Sequence, residues 1–369
     1  MRVLHVQKVS GIGGSEGHLL ALLPALADAG ITVRMCVAAT DRARDFTERL
    51  QAVGVSHSVF RAGPDLNPLL VGALSREIQT FRPDLVHSHL IHGDVHGQLA
   101  ARLFGVAGIS SFHGTHGFYQ RQPYRSVAAI AGRSARLTIA ISEHVRRFIE
   151  GLRLVREGAI RVIPYGIDAS RWSVSAAERT SARVALGLDP RDVAVGVASR
   201  LVAHKGHSFL LRAHARASQT APRLRLLVAG DGPLRADLER EAGALEGRVQ
   251  FLGFVEDVKS FLNVCDILIF PSEPEFGEGF GLAALEAMAA SRPVVATAVA
   301  SLPELVCPEE TGLLVDPGNV EQLAMGLARL ADDATLRRQM GERGRERART
   351  KFSLAAMVER MIAVYDEAL

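Results

Sequence analysis

Short apolar runs alternate with helix-length amphipathic stretches along the first half of the chain. The apolar runs predict strands in RVLHVQ, TVRMCVAA, HSVF, DLVHSHL, GISSFH, LTIAIS and RVIPYG. Helical patterns such as SEGHLLALLPALADAG separate them, and this one ends at Gly30, a residue that suits a helix C-cap. Strands that alternate with helices in this way predict a parallel sheet covered on both faces.

The same alternation begins again near residue 190, after the polar stretch DASRWSVSAAERTSARVALGLDPRD, which we interpret as a linker with a short helix. Further strands are predicted in VAVGVAS, RLRLLVAG, RVQFLG, ILIFPS, PVVATA and GLLVD. The end of the chain is helical. Gly341 and Gly344 are expected to interrupt this helical region, and a break at 351–353 precedes a final helix. We therefore predict an α/β chain of two doubly wound, Rossmann-like domains facing a cleft, over residues 1–170 and 171–351.

Composition narrows the class of protein. A chain of 369 residues is longer than one hydrophobic core usually serves, and a net charge of +3 is too small to indicate a nucleic-acid partner. Cys36, Cys265 and Cys307 lie far apart and form no CxxC pair, so neither a zinc site nor a disulfide framework is predicted. The sequence begins directly with a strand pattern, and no apolar run approaches the roughly 18 residues of a membrane helix, so we expect a cytoplasmic protein.

Candidate binding residues follow the predicted strands, because open parallel sheets bind ligands at the carboxyl ends of their strands. After the first strand, Gly11, Gly13 and Gly14 would let a ligand approach the backbone ahead of a helix, although a plain tight turn has the same pattern. After the first strand of the second half, Arg200 and Lys205 supply two cations that suit a diphosphate.

The segment EFGEGFGLAALEAMA carries the sharpest candidate site. It follows the strand ILIFPS, and Phe280, Gly281 and Leu282 would form the first turn of a helix, where free N–H groups bind anions. Glu278 stands just before this turn, and Glu286 lies further in, where it can accept hydrogen bonds from a pair of hydroxyls. An anion flanked by hydroxyl-rich groups indicates a nucleotide sugar, whereas the plainer alternative is one capping acid and one surface acid.

These segments together resemble the retaining glycosyltransferases of family 4. The similar motifs are GIGGSEGHL, VIPYGID, SRLVAHKG, AGDGPL, VQFLGFVEDV, the E-x7-E pattern of EGFGLAALEAMAASRPVVAT, LPELV and TGLLVDPGN. The resemblance covers essentially the whole chain. It implies the GT-B fold, in which the helix at 352–369 completes the N-terminal domain, and transfer of a hexose-type sugar from a nucleotide diphosphate sugar to an acceptor hydroxyl without a metal or other cofactor.

The resemblance also implies a role for each matching residue. Glu278 would hold the transferred sugar and Glu286 the ribose, while His113 would lie beneath the sugar. The turn at Phe254 and Val255 would contact the base. The implied catalytic residues are His113, Arg200, Lys205 and Glu278, and the implied donor-binding residues are Gly13, Gly14, Arg200, Lys205, Phe254, Val255, Glu278, Phe280, Gly281, Leu282 and Glu286.

The implied chemistry is electrostatic. Cleavage of the bond between sugar and diphosphate builds negative charge on the leaving group, which Arg200, Lys205 and the helix N-terminus would stabilise. The family implies front-face attack, in which the departing phosphate takes the proton of the acceptor. Ser199 and Tyr165 depart from the usual family pattern without removing a charged site residue.

Two clusters stand outside these motifs. Histidines crowd one region, at His87, His89, His92, His96, His113 and His116. A metal site is one interpretation, but we expect a polar cleft wall facing the acceptor, with some of these histidines structural. Nine arginines between residues 121 and 161 form either a solvated face or a peripheral contact with an acidic acceptor or the anionic inner face of the membrane.

The donor and the acceptor stay open at this stage. UDP is the expected carrier on family grounds, and GDP is the alternative. The acceptor could be a polysaccharide, a lipid-linked sugar or a small metabolite, which fits glycan, glycolipid or glycosylated-metabolite biosynthesis. A sugar-nucleotide epimerase of the same architecture and a catalytically inactive nucleotide-sugar-binding protein are the two alternative functions.

Overall fold

A computed structural model describes residues 1–63, 67–245, 247–274 and 279–369. Within these ranges the chain forms two compact units. Unit 1 comprises Met1–Gly166 and Leu354–Leu369, and unit 2 comprises Ile167–Ser353. The limits lie within a few residues of the boundaries expected at 170 and 351.

The described residues form strands and helices in the order that the apolar pattern predicts. The strands are β1 (Arg2–Val9), β2 (Thr32–Ala39), β3 (His57–Arg61), β4 (Leu85–His89), β5 (Ala107–Phe112), β6 (Leu137–Ala140), β7 (Ile160–Val162), β8 (Val193–Ala198), β9 (Leu224–Ala229), β10 (Val249–Gly253), β11 (Ile267–Phe270), β12 (Val294–Thr297) and β13 (Gly312–Val315). The helices are α1 (Gly14–Asp28), α2 (Arg44–Ala52), α3 (Pro68–Phe81), α4 (Leu90–Leu103), α5 (Tyr124–Ser134), α6 (Glu143–Gly151), α7 (Ala176–Ala185), α8 (His207–Thr220), α9 (Arg235–Ala242), α10 (Val258–Val264), α11 (Leu282–Ala289), α12 (Leu302–Leu305), α13 (Val320–Asp332), α14 (Ala334–Lys351) and α15 (Leu354–Ala368).

Unit 1 is built on a sheet whose described strands are all parallel, in the order β3-β2-β1-β4-β5-β6-β7. Consecutive residues of β1, such as Val3 and Leu4, are both fully buried, which is the pattern of a strand covered on both faces. The C-terminal helix α15 belongs to this unit, and Met361 and Val364 of α15 join the same core as Leu22 of α1.

Unit 2 repeats the architecture, with described parallel strands in the order β10-β9-β8-β11-β12-β13. The prediction of two doubly wound sheets is therefore confirmed. The segment interpreted as a linker is instead packed onto this unit through α7. Its Arg179 and Arg183 form ion pairs with Asp266, with N–O distances of 2.6 and 3.0 Å, which anchors the segment beside the start of β11.

The helical end of the chain also differs in detail from the expectation. A break at 352–353 separates α14 from α15, as predicted, but α14 runs through Gly341 and Gly344 without interruption. A Cβ on Gly341 would lie 2.1 Å from the carbonyl oxygen of Ser291, so this glycine allows close packing rather than ending a helix. No helix in the described ranges combines the length and apolar character needed to cross a membrane.

Candidate functional site

A small open pocket in unit 2, with a volume of about 60 Å³, lies at the carboxyl ends of β8 and β11. These neighbouring strands form a topological switch point, because β9 pairs on one side of β8 and β12 on the far side of β11. The pocket is lined by Val197, Ala198, Ser199, Lys205, Phe270, Pro271, Ser272, Gly281, Leu282 and Ala283. The structure thus brings Lys205 together with the N-terminal turn of α11.

Lys205 is held in place by a close contact between two turns. It ends the short 3₁₀ turn Ala203–Lys205, and Gly206 follows with φ of +69°. A Cβ on Gly206 would lie only 1.9 Å from the carbonyl oxygen of Pro271, so only glycine lets the turn after β8 contact the turn after β11. This contact fixes the distance between the two sides of the pocket.

The N-terminus of α11 supplies the other side. Gly281 is the N-cap, with φ of +86°, and no side chain among the described residues caps the helix. Leu282 and Ala283, whose N–H groups belong to the uncapped first turn, line the pocket. Phe280 is only 3% exposed, and its ring packs edge-on against Phe352 at 5.8 Å, so the segment before the helix is anchored in the unit.

Only one of the two glutamates of the E-x7-E pattern can be described. Glu286 lies in the second turn of α11, and burial raises its pKa to about 8. A carboxyl group with such a pKa lies in a site that water does not solvate well, as perturbed groups at ligand sites often do. Glu278 lies outside the described residues.

The remaining donor-site candidates of unit 2 lie on turns outside the pocket lining. Arg200 is exposed, and its guanidinium forms no ion pair within the part of the chain that is described. Next to it, the Ser199 hydroxyl lies 3.2 Å from Nε2 of His207. Phe254 and Val255 follow β10, and the Phe254 side chain is 77% exposed. A large aromatic ring so exposed has a free face for a flat ligand.

The glycine loop of unit 1 differs from a phosphate loop. Gly13 is the N-cap of α1, and its N–H donates to Oε2 of Glu16 at 3.0 Å. The same carboxylate accepts from Ser15 Oγ at 3.0 Å and from Gln7 Nε2 at 2.7 Å. A buried carboxylate therefore already occupies the helix N-terminus where the resemblance implies that Gly13 and Gly14 lie against the donor diphosphate and the acceptor. Nearby, Gln7 Oε1 and His18 Nδ1 are buried and have no hydrogen-bond partner among the described residues.

His113 follows β5, and both of its ring nitrogens bind protein groups. Nε2 lies 3.0 Å from Nδ1 of His89, and Nδ1 lies 2.6 Å from the hydroxyl of Tyr165. Burial lowers the pKa of His113 well below the usual histidine value, and the nearby His18 and His116 lower it further. The ring is consequently neutral, and its two nitrogens are engaged within unit 1.

Four of the six histidines, His87, His89, His92 and His96, are buried, so they fit the structural part of the expectation rather than the cleft wall. His96 has a structural role: its Nδ1 lies 2.7 Å from the His92 carbonyl, and its Nε2 accepts from the Asn67 N–H ahead of α3. His96 is buried because of the way α4 packs against the sheet, and the spacing of the histidines in the sequence does not predict that packing.

A three-histidine cluster is the one place within the described ranges where His, Cys, Asp and Glu ligand atoms meet closely enough to hold a metal. One ring nitrogen from each of His5, His87 and His89 lies within 4.8 Å of the other two. All three rings are already hydrogen-bonded to protein groups. The expectation that no metal is needed remains a prediction.

The basic segment is largely engaged with its own unit. Arg136 Nη1, for example, donates to the carbonyl of Ala368 at 2.6 Å, and Arg146 pairs with Glu143 and Glu150. Six of the nine arginines bind a carbonyl or a carboxylate, namely Arg125, Arg133, Arg136, Arg146, Arg156 and Arg161. Only Arg146 and Arg161 pair with carboxylates, whereas a carbonyl contact orders an arginine side chain without neutralising its charge.

Comparisons with known proteins place the chain in a family. A model described as Glycosyltransferase Family 4 matches residues 12–171, and a model described as Glycosyl transferases group 1 matches residues 178–347. The D-inositol 3-phosphate glycosyltransferase of Saccharomonospora viridis is 30% identical over 97% of this chain and 90% of its own length. The chain belongs to the glycosyltransferases of family 4.

Other relatives of this family 4 glycosyltransferase agree with the assignment. The alpha-D-kanosaminyltransferase of Streptomyces kanamyceticus is 30% identical over 67% of this chain, and the match spans 62% of that relative, less than two thirds of its length. The structure of HepE from Anabaena in complex with UDP and glucose superposes with a TM-score of 0.88, at 22% identity and with 100% of both chains covered. The predicted GT-B fold is confirmed by this likeness.

Several polar residues of this family 4 glycosyltransferase carry no sequence signal. His5 stands inside the apolar run of β1, and Tyr365 stands on the last helix, so neither belongs to a local motif. Only the parallel register, in which His5 pairs with His87, and the packing of α15 bring them together. The buried state of Gln7 and His18 likewise depends on tertiary packing.

Proposed function

We propose that this glycosyltransferase transfers a hexose-type sugar from a UDP-sugar to an acceptor hydroxyl, with retention of configuration and without a metal. The observation that carries the proposal is the unit 2 pocket, where Lys205 faces the uncapped N-terminal turn of α11. A cation and a helix N-terminus in one pocket favour an anion such as a diphosphate. Glycosyltransferase activity follows from the family; the donor, the stereochemistry and the metal independence are the proposal.

The pocket supports catalysis by stabilising the leaving group. As the bond between sugar and diphosphate breaks, negative charge grows on the phosphate oxygens. Lys205 and the N–H groups of Leu282 and Ala283 stabilise that charge in place, with no cost of rearrangement. Arg200, exposed two residues after β8, adds a second cation that can turn toward the diphosphate on binding.

Two further residues would recognise the nucleoside. The exposed ring of Phe254 offers a stacking face for the base, and Glu286 accepts hydrogen bonds from the two ribose hydroxyls. Stacking does not distinguish uracil from guanine. The choice of UDP over GDP therefore rests on likeness to HepE, whose structure contains UDP.

Unit 1 would bind the acceptor. Its glycine loop already holds the carboxylate of Glu16, which disfavours a second anion, whereas Gln7 Oε1 and His18 Nδ1 are buried polar atoms in need of partners. Such atoms suit the hydroxyls of a sugar or of a related small molecule. An acceptor in glycan, glycolipid or metabolite biosynthesis fits this chemistry, and peripheral membrane contact stays a prediction.

One experiment separates the proposal from its alternatives. The protein is screened for thermal stabilisation by UDP, GDP and their sugars, since a ligand that binds the folded state raises its melting temperature. The best donor is then supplied in radiolabelled form with a panel of acceptors, with and without EDTA. Transfer in EDTA supports the proposal, an epimerised nucleotide sugar without acceptor indicates the epimerase, and binding without turnover indicates an inactive protein.

A further inference from the structure

A continuous chain of hydrogen-bonded rings runs through unit 1 from Tyr365 to Tyr165 and includes His113. The Tyr365 hydroxyl lies 3.5 Å from Nε2 of His5, and His5 Nδ1 lies 3.0 Å from Nε2 of His89. His89 Nδ1 lies 3.0 Å from Nε2 of His113, whose Nδ1 lies 2.6 Å from the Tyr165 hydroxyl. Each histidine enters the chain through one nitrogen and leaves through the other.

This arrangement restricts where the protons can be. A neutral imidazole has one N–H donor and one bare nitrogen acceptor, so each contact between two histidines needs a donor on one side and an acceptor on the other. Two settings satisfy every contact: His5, His89 and His113 all carry the proton on Nδ1, or all three carry it on Nε2. Any mixed setting leaves two lone pairs or two N–H groups facing each other in a buried site.

The three histidines must share one tautomer only if their rings are neutral, and burial keeps them neutral. His5 and His89 are fully buried, and burial lowers the pKa of His5 to about 3 and that of His89 well below its usual value. The hydroxyl of Tyr365 also lies 2.9 Å from Nδ1 of His87, whose Nε2 lies 2.7 Å from Ser111 Oγ. Tyr365 can donate to only one histidine: donation to His5 gives the Nδ1 setting, and donation to His87 leaves its oxygen to accept from His5 in the Nε2 setting. The Tyr165 hydroxyl can accept from His113 or donate to it, and so match either setting.

We propose that Tyr365, His5 and His89 are positioning residues that give His113 a single tautomer, and that the three histidines of the chain change tautomer only together. The role of His113 in sugar transfer is the one that the family resemblance implies and rests on the proposed function, whereas the coupled tautomers do not. The chain connects α15, β1, β4 and β5, so the proton position at His113 is set by residues far from it in sequence.

The same rings suggest a competing explanation, a metal bound by His5, His87 and His89. A metal would need a bare nitrogen from each ring, and since both nitrogens of His89 already take part in the chain, it would break the contact of His89 with either His5 or His113. The two explanations therefore exclude each other, and one measurement distinguishes them.

The test is nitrogen-15 NMR of the full-length protein labelled on histidine. Two-bond proton–nitrogen correlations report which ring nitrogen carries the proton, and couplings across N–H···N contacts report the hydrogen bonds directly. We expect His5, His89 and His113 to be neutral at pH 7, to share one tautomer and to show couplings across both histidine–histidine contacts. Mixed tautomers, missing couplings or spectra that change when zinc is added would overturn the proposal.

Kinetics test the positioning role. Tyr365→Phe removes the hydroxyl at one end of the chain, so we expect kcat to fall about tenfold, the rate equivalent of losing one neutral hydrogen bond, with an unchanged donor KM. Tyr119→Phe is the matched control, because Tyr119 is equally buried in unit 1 and its hydroxyl bonds to the Ile91 backbone outside the chain. An equal loss in both variants, or none in Tyr365→Phe, would overturn the positioning role.

A second pair of variants guards against simple misfolding. His89→Gln keeps a donor and an acceptor in the middle of the chain, whereas His89→Leu has neither. We expect Gln to retain more kcat than Leu at similar melting temperatures, and equal activity would count against the proposal. If the wild-type protein shows no transfer with any donor, the proposed function fails, while the NMR result still decides the coupling of the tautomers.

Discussion

At the scale of single residues, the assignment of the diphosphate site rests on Arg200 and Lys205, the two cations that follow β8. We expect Lys205→Ala and Arg200→Ala each to reduce turnover by roughly 10²–10³-fold, the usual cost of removing one group that stabilises developing charge. The matched control is Arg216→Ala, which removes an exposed arginine of α8 that pairs with Glu321. Steady-state kinetics with the donor found by the thermal screen measure the effect. Near-normal turnover in both site variants would contradict the assignment.

We expect Glu286 to make nucleotide affinity depend on pH. Burial raises its pKa to about 8, so at pH 7 the free protein holds the carboxyl mostly protonated. The ionised form accepts stronger hydrogen bonds from the two ribose hydroxyls, so we expect affinity for UDP to rise between pH 7 and 9, by at most about tenfold per pH unit. Calorimetry above pH 7 avoids most of the titration of the diphosphate. Glu286→Gln should bind more weakly and lose this dependence, and an unchanged pH profile in that variant would place Glu286 away from the ribose.

At the scale of elements, the contact between two turns defines the pocket. Gly206 and Gly187 have nearly the same φ, +69° and +70°, but a Cβ on Gly206 would meet the Pro271 carbonyl at 1.9 Å, while a Cβ on Gly187 would meet nothing within 4 Å. Gly187→Ala therefore suffers only backbone strain, about 1 kcal/mol. Gly206→Ala must also separate the turns after β8 and β11, so we expect a larger loss of stability and weaker UDP binding. Urea unfolding and calorimetry measure both, and equal effects would show that the contact does not shape the pocket.

The elements themselves could be predicted from the sequence because each depends on local pattern. β2, at Thr32–Ala39, coincides with the predicted run TVRMCVAA, and the break after Lys351 falls where Phe352 and Ser353 interrupt the helical pattern. The linker interpretation failed for a non-local reason. The polar stretch around α7 looks solvated, but Arg179 and Arg183 bind Asp266, more than 80 residues away along the chain.

The candidate site could be predicted in part for the same reason. Lys205 and the first turn of α11 lie in local motifs after strands, and the parallel topology alone brings them to one pocket. The chain of rings that includes His113 could not be predicted, because its contacts join β1, β4, β5 and α15. Spacing placed His87 and His89 on one face of a strand, but it could not show that this face is covered by α15.

At the scale of the whole molecule, the two units share one topology but differ in the buried histidines with lowered pKa values that they contain. Unit 1 buries a group of neutral histidines, namely His5, His18, His87, His89 and His113, and burial lowers the pKa of each. Among the described histidines of unit 2, His207 and His214 have pKa values lowered to about 4. Acid should therefore act on the units unequally.

We expect unit 1 to unfold first when the pH falls below about 6.5, the pKa of a histidine in the unfolded chain. A lowered pKa in the folded state means that stability is fully present above 6.5 and is lost as the pH falls toward the folded value, because the unfolded chain then binds protons that the folded chain excludes. Protonation of each of the five histidines in the unfolded chain lowers the free energy of unfolding by up to about 1.4 kcal/mol for each pH unit. Asp94 has the opposite effect and offsets one histidine. Burial raises its pKa to about 7, so between pH 7 and 4 the folded chain binds a proton that the unfolded chain does not, which favours the folded state.

Unfolding of unit 1 would therefore take up about four protons in net terms, which lowers the free energy of unfolding by roughly 5 kcal/mol per pH unit. A typical stability of about 5–15 kcal/mol would be lost within a few pH units. Hydrogen exchange followed by mass spectrometry at pH 6.5 and 5 should show loss of protection in β1, β4 and β5 before β8 and β11. Asp94→Asn should make the loss steeper, because it removes the opposing group, and His87→Gln should make it shallower by one proton. Simultaneous loss of protection in both sheets, or an uptake below two protons on unfolding, would show that the buried histidines do not control the acid stability of unit 1.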